Sequence, residues 1–148
     1  MKSVSEGMKK IFAATIIKEH PDDYSIVYID PADEKKAREE LKDLKPFSSV
    51  TYTEDEISVV LRVSDWAKLK KGFLNHKEEG PYKLITFDIV LDLSIIGFLS
   101  VVSTALAEND VPIYALSTYL KDHILVKKVN APKAIRILRD LVEDAKRK

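Results

Sequence analysis

The chain reads as an α+β protein built from two similar halves, residues 1–78 and 79–148, and three features of the sequence point that way. Beyond residue 82 the apolar periodicity runs strand, helix, strand, strand, helix. Before residue 75 the same strand, helix, strand, strand order recurs, preceded by one surplus strand. Between the two lies Asn75-His76-Lys77-Glu78-Glu79-Gly80-Pro81, a polar stretch that ends in a Gly-Pro breaker.

The elements follow in order. Ile11 to Lys18 and Tyr24 to Ile29 are rich in Ile, Val and Tyr and bracket His20-Pro21-Asp22-Asp23, which predicts two strands around a turn. Asp30 is placed to cap a helix, Pro31 fits its first position, and Ala37, Leu41 and Leu44 form its apolar stripe. Its solvated faces carry Glu34 with Arg38 and Lys36 with Glu40, pairs worth only about 0.2–0.5 kcal/mol each. Val50 to Thr53 and Glu56 to Val63 read as strands joined at Glu54-Asp55, and Ser64-Asp65 as the cap of a short helix through Trp66 to Leu69. In the second half Tyr82 to Leu91 alternates, with Ile85, Phe87, Ile89 and Leu91 on one face. Phe98 to Glu108 then predicts a helix closed by Asn109-Asp110, and Val111 to Thr118 with His123 to Lys128 two more strands. Asn130 caps a final helix lined by Ala134, Leu138, Leu141 and Ala145.

Composition narrows the function classes. The 24 basic and 24 acidic side chains cancel, so no global field favours nucleic acid or an anionic membrane. There is no cysteine, no signal peptide and no apolar run of membrane length, which predicts a cytoplasmic protein without disulfides or thiolate chemistry. His20, His76 and His123 are scattered without ligand spacing, so no metal is expected. With only four glycines there is no phosphate-binding loop, and no credible Ser-His-acid set stands out. Neither catalysis nor a cofactor is expected.

The segment Asp92-Leu93-Ser94-Ile95-Ile96-Gly97-Phe98, with Leu116-Ser117-Thr118-Tyr119-Leu120-Lys121-Asp122, sets a helix start opposite a strand end that carries hydroxyls and one acid. Free N–H groups and positive dipole at a helix start suit a carboxylate, and an acid across from it suits an ammonium or guanidinium. A zwitterionic amino acid satisfies both. Each residue also has a plainer reading: Asp92 as a turn or capping aspartate, Ser94 as a cap, Gly97 as a site of close packing, Asp122 as a hairpin-turn aspartate.

Phe47 through Leu61, Gly80-Pro81, and Gly97 through Asp122 with Leu125-Val126 resemble the tandem ACT proteins, which include small prokaryotic members, the eukaryotic arginine sensor and the regulatory regions of aspartate kinases. The resemblance implies two ferredoxin-like βαββαβ units with antiparallel sheets and helices on one face, and a non-catalytic, amino acid binding regulatory protein with a regulated enzyme as partner. It implies that Asp92 holds a ligand's amino group, that Ile95 and Ile96 form a wall, and that Ser117, Thr118 and Asp122 line the effector cleft. Glu56 and Ser58 match the family's Glu-x-Ser, a segment that would face the cleft from the other side. Lys121 stands where many members have threonine and is placed to neutralise Asp122; His123 stands where an aromatic is frequent.

Two expectations concern assembly. The second half lacks a last strand before its charged tail, so the surplus first strand is expected to complete it by exchange between halves, which also covers an edge. The helix from Ile96 to Ala107 is apolar over too wide an arc for one sheet, and ACT units generally pair side by side, so a homodimer is expected. The rival function is a structural dimerisation module with no ligand; a ferredoxin-like RNA binder ranks third, for want of exposed aromatic pairs and basic character.

Overall fold

A computed structural model describes residues 4–45 and 47–147. By compactness the chain divides into two units, residues 22–82 and residues 1–21 together with 83–148. The point 78/79 chosen from composition falls inside a strand, His76–Asp88, and the N-terminal residues group with the C-terminal ones.

The unit of residues 22–82 is a complete strand-helix-strand-strand-helix-strand repeat. Strand β1 (Ile16–Ile29) enters it at residue 22 and leads through a single 3-10 turn, Pro31–Asp33, into α2 (Glu34–Glu40). Helix α1 (Glu6–Ala14) belongs to the other unit. As expected, Asp30 caps: its Oδ1 accepts the Ala32 N–H at 2.8 Å. Strands β2 (Ser49–Tyr52) and β3 (Ile57–Arg62) form an antiparallel hairpin, α3 (Val63–Leu69) follows, and β4 (His76–Asp88) closes the sheet order β2-β3-β1-β4. Helix α3 begins earlier than Ser64-Asp65 suggested, because Asp65 pairs with Arg62 at 2.9 Å instead of capping. The core is Val27, Ile29, Ala37, Leu41, Ile57, Val59, Leu61, Trp66 and Phe73. The charged stretch expected as the boundary between halves is the start of β4, and its polarity suits the edge strand of this unit.

The other unit has the order β5-β6-β4-β1, in which β5 (Tyr114–Ser117) and β6 (Asp122–Lys127) are an antiparallel hairpin. Helices α4 (Phe98–Ala107) and α5 (Ala131–Lys146) complete the strand-helix-strand-strand-helix order. Its missing last strand is the N-terminal part of β1, as the exchange hypothesis required. β1 has no break at His20–Asp23; it runs for 14 residues through Pro21. Proline is tolerated there because pairing with β3 begins only at Tyr24, so Pro21 sits on an edge.

Residues expected as the front of a strand form a helix instead. In α1 the Ser5 hydroxyl accepts the Met8 N–H at 3.2 Å and Glu6 lies in the first turn, both favourable at a helix start. Thr15 ends it, giving its hydroxyl to Ile11 O at 2.7 Å. The spacing of Met8 and Phe12 buries one face, and the Phe12 ring stacks on Phe98 at 4.6 Å. These two join Ile85, Phe87, Val102, Leu106, Ile124, Leu138 and others in one core. The second partner that α4 needed is therefore found within its own unit, and the apolar width of α4 no longer argues for a dimer.

Candidate functional site

A cleft of about 310 Å³ opens in the unit that holds α4. Asp92, Ile95, Gly97, Ser117, Thr118 and Asp122 of the expected set line it, together with Leu91, Leu93, Phe98, Leu99, Ser100, Tyr119 and Lys121. Ser94 and Ile96 belong to the same loop but are absent from the lining, and Ile96 is 90% exposed, so it forms no wall. Glu56 and Ser58 lie in the 22–82 unit, Glu56 in the β2–β3 turn and Ser58 on β3 opposite Tyr28 and Thr51; neither is among the lining residues.

The loop from residue 89 to 97 is organised by its own backbone and one aspartate. Leu91 N–H donates to Leu120 O at 2.8 Å, which ties it to the β5–β6 turn. Asp92 Oδ1 accepts both the Ser94 N–H, at 2.8 Å, and the Ser94 hydroxyl, at 2.6 Å. The Ser94 hydroxyl first, and its N–H second, hold the Asp92 carboxyl below its ordinary range. Ser94 caps no helix.

Gly97 is the residue before α4, at φ 97°, in the left-handed region that favours glycine. No side chain caps the helix; the first intrahelical bond is Val101 N–H to Gly97 O at 3.1 Å. The N–H groups of Phe98, Leu99 and Ser100 thus begin the helix without an intrahelical acceptor, and all three residues line the cleft.

On the opposite wall the hairpin register pairs Ser117 with Asp122. The Ser117 hydroxyl donates to Asp122 Oδ1 at 2.6 Å, and among the described residues Oδ2 accepts no hydrogen bond. Lys121 does not neutralise this carboxylate as the sequence suggested. Its Nζ binds Asp88 Oδ1 at 2.6 Å, and that bond, with the charge behind it, keeps Asp88 ionised to lower pH than usual. Asp122 begins β6 after a turn closed by Thr118 N–H and Thr118 Oγ1, both donating to Lys121 O at 2.9 Å.

Behind Thr118 runs a chain of polar groups that the sequence did not reveal. His123 is 7% exposed, with Nε2 3.0 Å from Thr118 Oγ1 and Nδ1 2.8 Å from Thr86 Oγ1. Thr86 Oγ1 in turn lies 2.7 Å from His20 Nε2. Burial first, then the neighbouring His20, pushes the His123 imidazole towards its neutral form. The residues are more than 100 positions apart in sequence at the extremes, and only the β1-β4-β6 strand order makes them neighbours. Among the described residues no group of three His, Cys, Asp or Glu side chains is placed to hold a metal, and no helix is long and apolar enough to cross a membrane.

Comparison with known proteins fits this architecture. Residues 79–140, from within β4 into α5, match the family model of the ACT domain. No curated protein matches the chain. Among solved structures, a Vibrio cholerae protein of unknown function is 18% identical, with 93% of this chain and 97% of that one covered at a TM-score of 0.71. An Agrobacterium tumefaciens protein is 22% identical over 86% of this chain and 89% of its own, at a TM-score of 0.70. The regulatory subunit of aspartate kinase from Thermus thermophilus, in its ligand-free form, is 12% identical over 86% and 97%, at 0.63. At such identities the likeness establishes a common fold. Residues 79–140 therefore carry the match to the ACT domain, and the chain as a whole is similar in fold to the regulatory subunit of aspartate kinase.

Proposed function

We propose that this chain is a regulatory protein of the ACT type, non-catalytic, that binds a free amino acid in the cleft between α4 and the β5–β6 hairpin. The ligand carboxylate is received by the N–H groups of Phe98, Leu99 and Ser100, and its cationic group by Asp122 and Ser117. One observation carries the reading: a single cleft holds both an uncapped helix start and a carboxylate with an oxygen to spare. Two poles of opposite sign match a zwitterion, and neither pole alone would. Asp92 serves as the turn that shapes the loop, with Ile95, Leu93 and Leu99 as apolar lining. Glu56 and Ser58, which belong to the 22–82 unit, are given no part in this cleft.

A thermal-shift screen against the twenty amino acids tests this. At free ligand a hundredfold above Kd, linkage gives about 2.7 kcal/mol of stabilisation, a readily seen rise in melting temperature. If no amino acid moves the curve, the chain is a structural ACT module that keeps the fold without a ligand. The assembly proposed from the family's habit is a homodimer, visible by sedimentation at micromolar concentration; a strict monomer would confine the regulatory response to one chain.

A further inference from the structure

We propose that His20, Thr86 and His123 form a one-way hydrogen-bond relay that holds the Thr118 hydroxyl as an acceptor towards the cleft, and that proton uptake by His123 weakens binding of a cationic group there. The inference rests on the amino acid reading of the cleft and adds its regulation by pH.

The direction of the relay follows from counting protons. Thr118 has one hydroxyl proton, and it goes to Lys121 O. At 3.0 Å from His123 Nε2, Thr118 Oγ1 must then accept, so Nε2 carries a proton. A neutral His123 leaves Nδ1 bare, and the Thr86 hydroxyl donates to it across 2.8 Å. Thr86 has no second proton, so its 2.7 Å contact with His20 is received from His20 Nε2–H. With the Thr118 proton on Lys121 O, each step is satisfied in this direction. The remaining lone pair of Thr118 Oγ1 is available to the cleft and takes donors alone, beside an Asp122 that likewise only accepts.

A second proton on His123 would sit on Nδ1, so that Thr86 would have to turn from donor to acceptor there and His20 would have to change tautomer to receive the Thr86 proton. It would also set a positive charge behind the acceptor wall. The titratable and charged groups around His123 are His20 on β1, Lys121 in the β5–β6 turn, Asp122 at the start of β6, and Asp88 on β4 through its bond to Lys121. Burial, His20 and Lys121 resist that charge, and Asp122 favours it. His123 therefore protonates below the ordinary histidine range, and a cationic ligand group at Asp122 lowers it further.

The ligand-free protein gives the first test. Two-bond proton–nitrogen NMR at pH 7.5 should find His123 neutral, with its proton on Nε2; a proton on Nδ1, or a charged ring, overturns the relay. The second test uses the amino acid giving the largest rise in melting temperature among the twenty. Its Kd by calorimetry should weaken as pH falls from 7.5 through the lowered His123 range, by no more than the tenfold per pH unit that one linked proton allows. His123→Gln should abolish that dependence. A flat profile in the wild type, or the same slope in the variant, overturns the coupling. The outcomes separate: no hit among the twenty removes the amino acid reading and the coupling with it, whereas a hit alongside a His123 protonated on Nδ1 removes the relay and leaves the site.

Discussion

The two units repeat one chain order, yet they treat the start of their first helix and the tip of their hairpin differently. Before α2 stands Asp30-Pro31: the Asp30 carboxylate satisfies the Ala32 N–H with one oxygen and holds Asn75 Nδ2 at 2.7 Å with the other, and Pro31 has no N–H to offer. Before α4 stands Gly97, with no side chain to cap. The hairpins share one turn, in which Thr53 and Thr118 each donate N–H and hydroxyl to the carbonyl three residues on. The pair just outside that turn is Tyr52 with Ile57 in one unit and Ser117 with Asp122 in the other. One unit therefore closes its own anion site and fills the opposing position with apolar side chains. The other leaves the N–H groups open and places a carboxylate across from them. By the same correspondence Glu56 answers to Lys121 and Ser58 to His123.

The largest expected effect tests what only one unit possesses, the added helix α1. Phe12 is 3% exposed and stacked on Phe98. Phe12→Ala should cost about 3–5 kcal/mol. Hydrogen exchange should report the loss in α4, α5 and β6 while α2, α3 and β3 keep their protection. Equal loosening of both sets would show that the two cores unfold as one cooperative body.

That helix also marks where the sequence was hardest to read. Ile11 and Thr15 are β-branched and precede Ile16 and Ile17, so β propensity masked the Ser5 cap and the Met8–Phe12 spacing that decide for helix. Pro21 and the charges of residues 76–81 looked like a turn and a boundary between halves, yet each lies on an edge where a strand accepts them. What was legible is what local chemistry dictates: the Asp30 cap, the apolar stripes of α2 and α5, the hairpins, and the pairing of Gly97 with Ser117 to Asp122 in one cleft. What was not legible depends on strand order. Lys121 meets Asp88 across the sheet, and His20 meets Thr86 and His123 only because β1 lies beside β4 and β4 beside β6.

The next effect breaks the cleft at its acid. Asp122→Asn keeps the shape of the side chain and a bond to Ser117 while removing the charge that its counterpart Ile57 never had. Loss of a charge-assisted hydrogen bond should weaken a bound amino acid by about 1.5–3 kcal/mol, roughly ten- to a hundredfold in Kd by calorimetry. Unchanged affinity with a lowered melting temperature would make Asp122 a turn residue only.

Smaller still is the cost of a side chain at the left-handed residue before α4. A Cβ at Gly97 would meet only Met8 Cε, at 3.9 Å, so crowding is absent. The penalty of Gly97→Ala comes from φ alone and should be about 1–2 kcal/mol in denaturant unfolding. A loss several times larger would mean that the backbone had rebuilt and that the left-handed residue organises the whole loop.

The smallest effect compares two ion pairs on β4, Lys70 with Glu78 in one unit and Lys121 with Asp88 in the other. Each carboxyl is held below its usual range first by the lysine's hydrogen bond, so each contributes stability above the unfolded carboxylate range that is lost as pH falls through the folded value. Both pairs are a third to a half exposed, and solvent screening keeps such bridges at about 0–1 kcal/mol. Lys121→Met should therefore change stability at pH 7 by under about 1 kcal/mol and flatten the acid limb below about pH 4. It should leave the affinity of a cationic ligand at Asp122 unchanged or slightly raised, since a positive charge near that pole is removed. Weaker binding in Lys121→Met would mean that the ligand presents its carboxylate to the hairpin instead, and the polarity assigned to the cleft would have to be reversed.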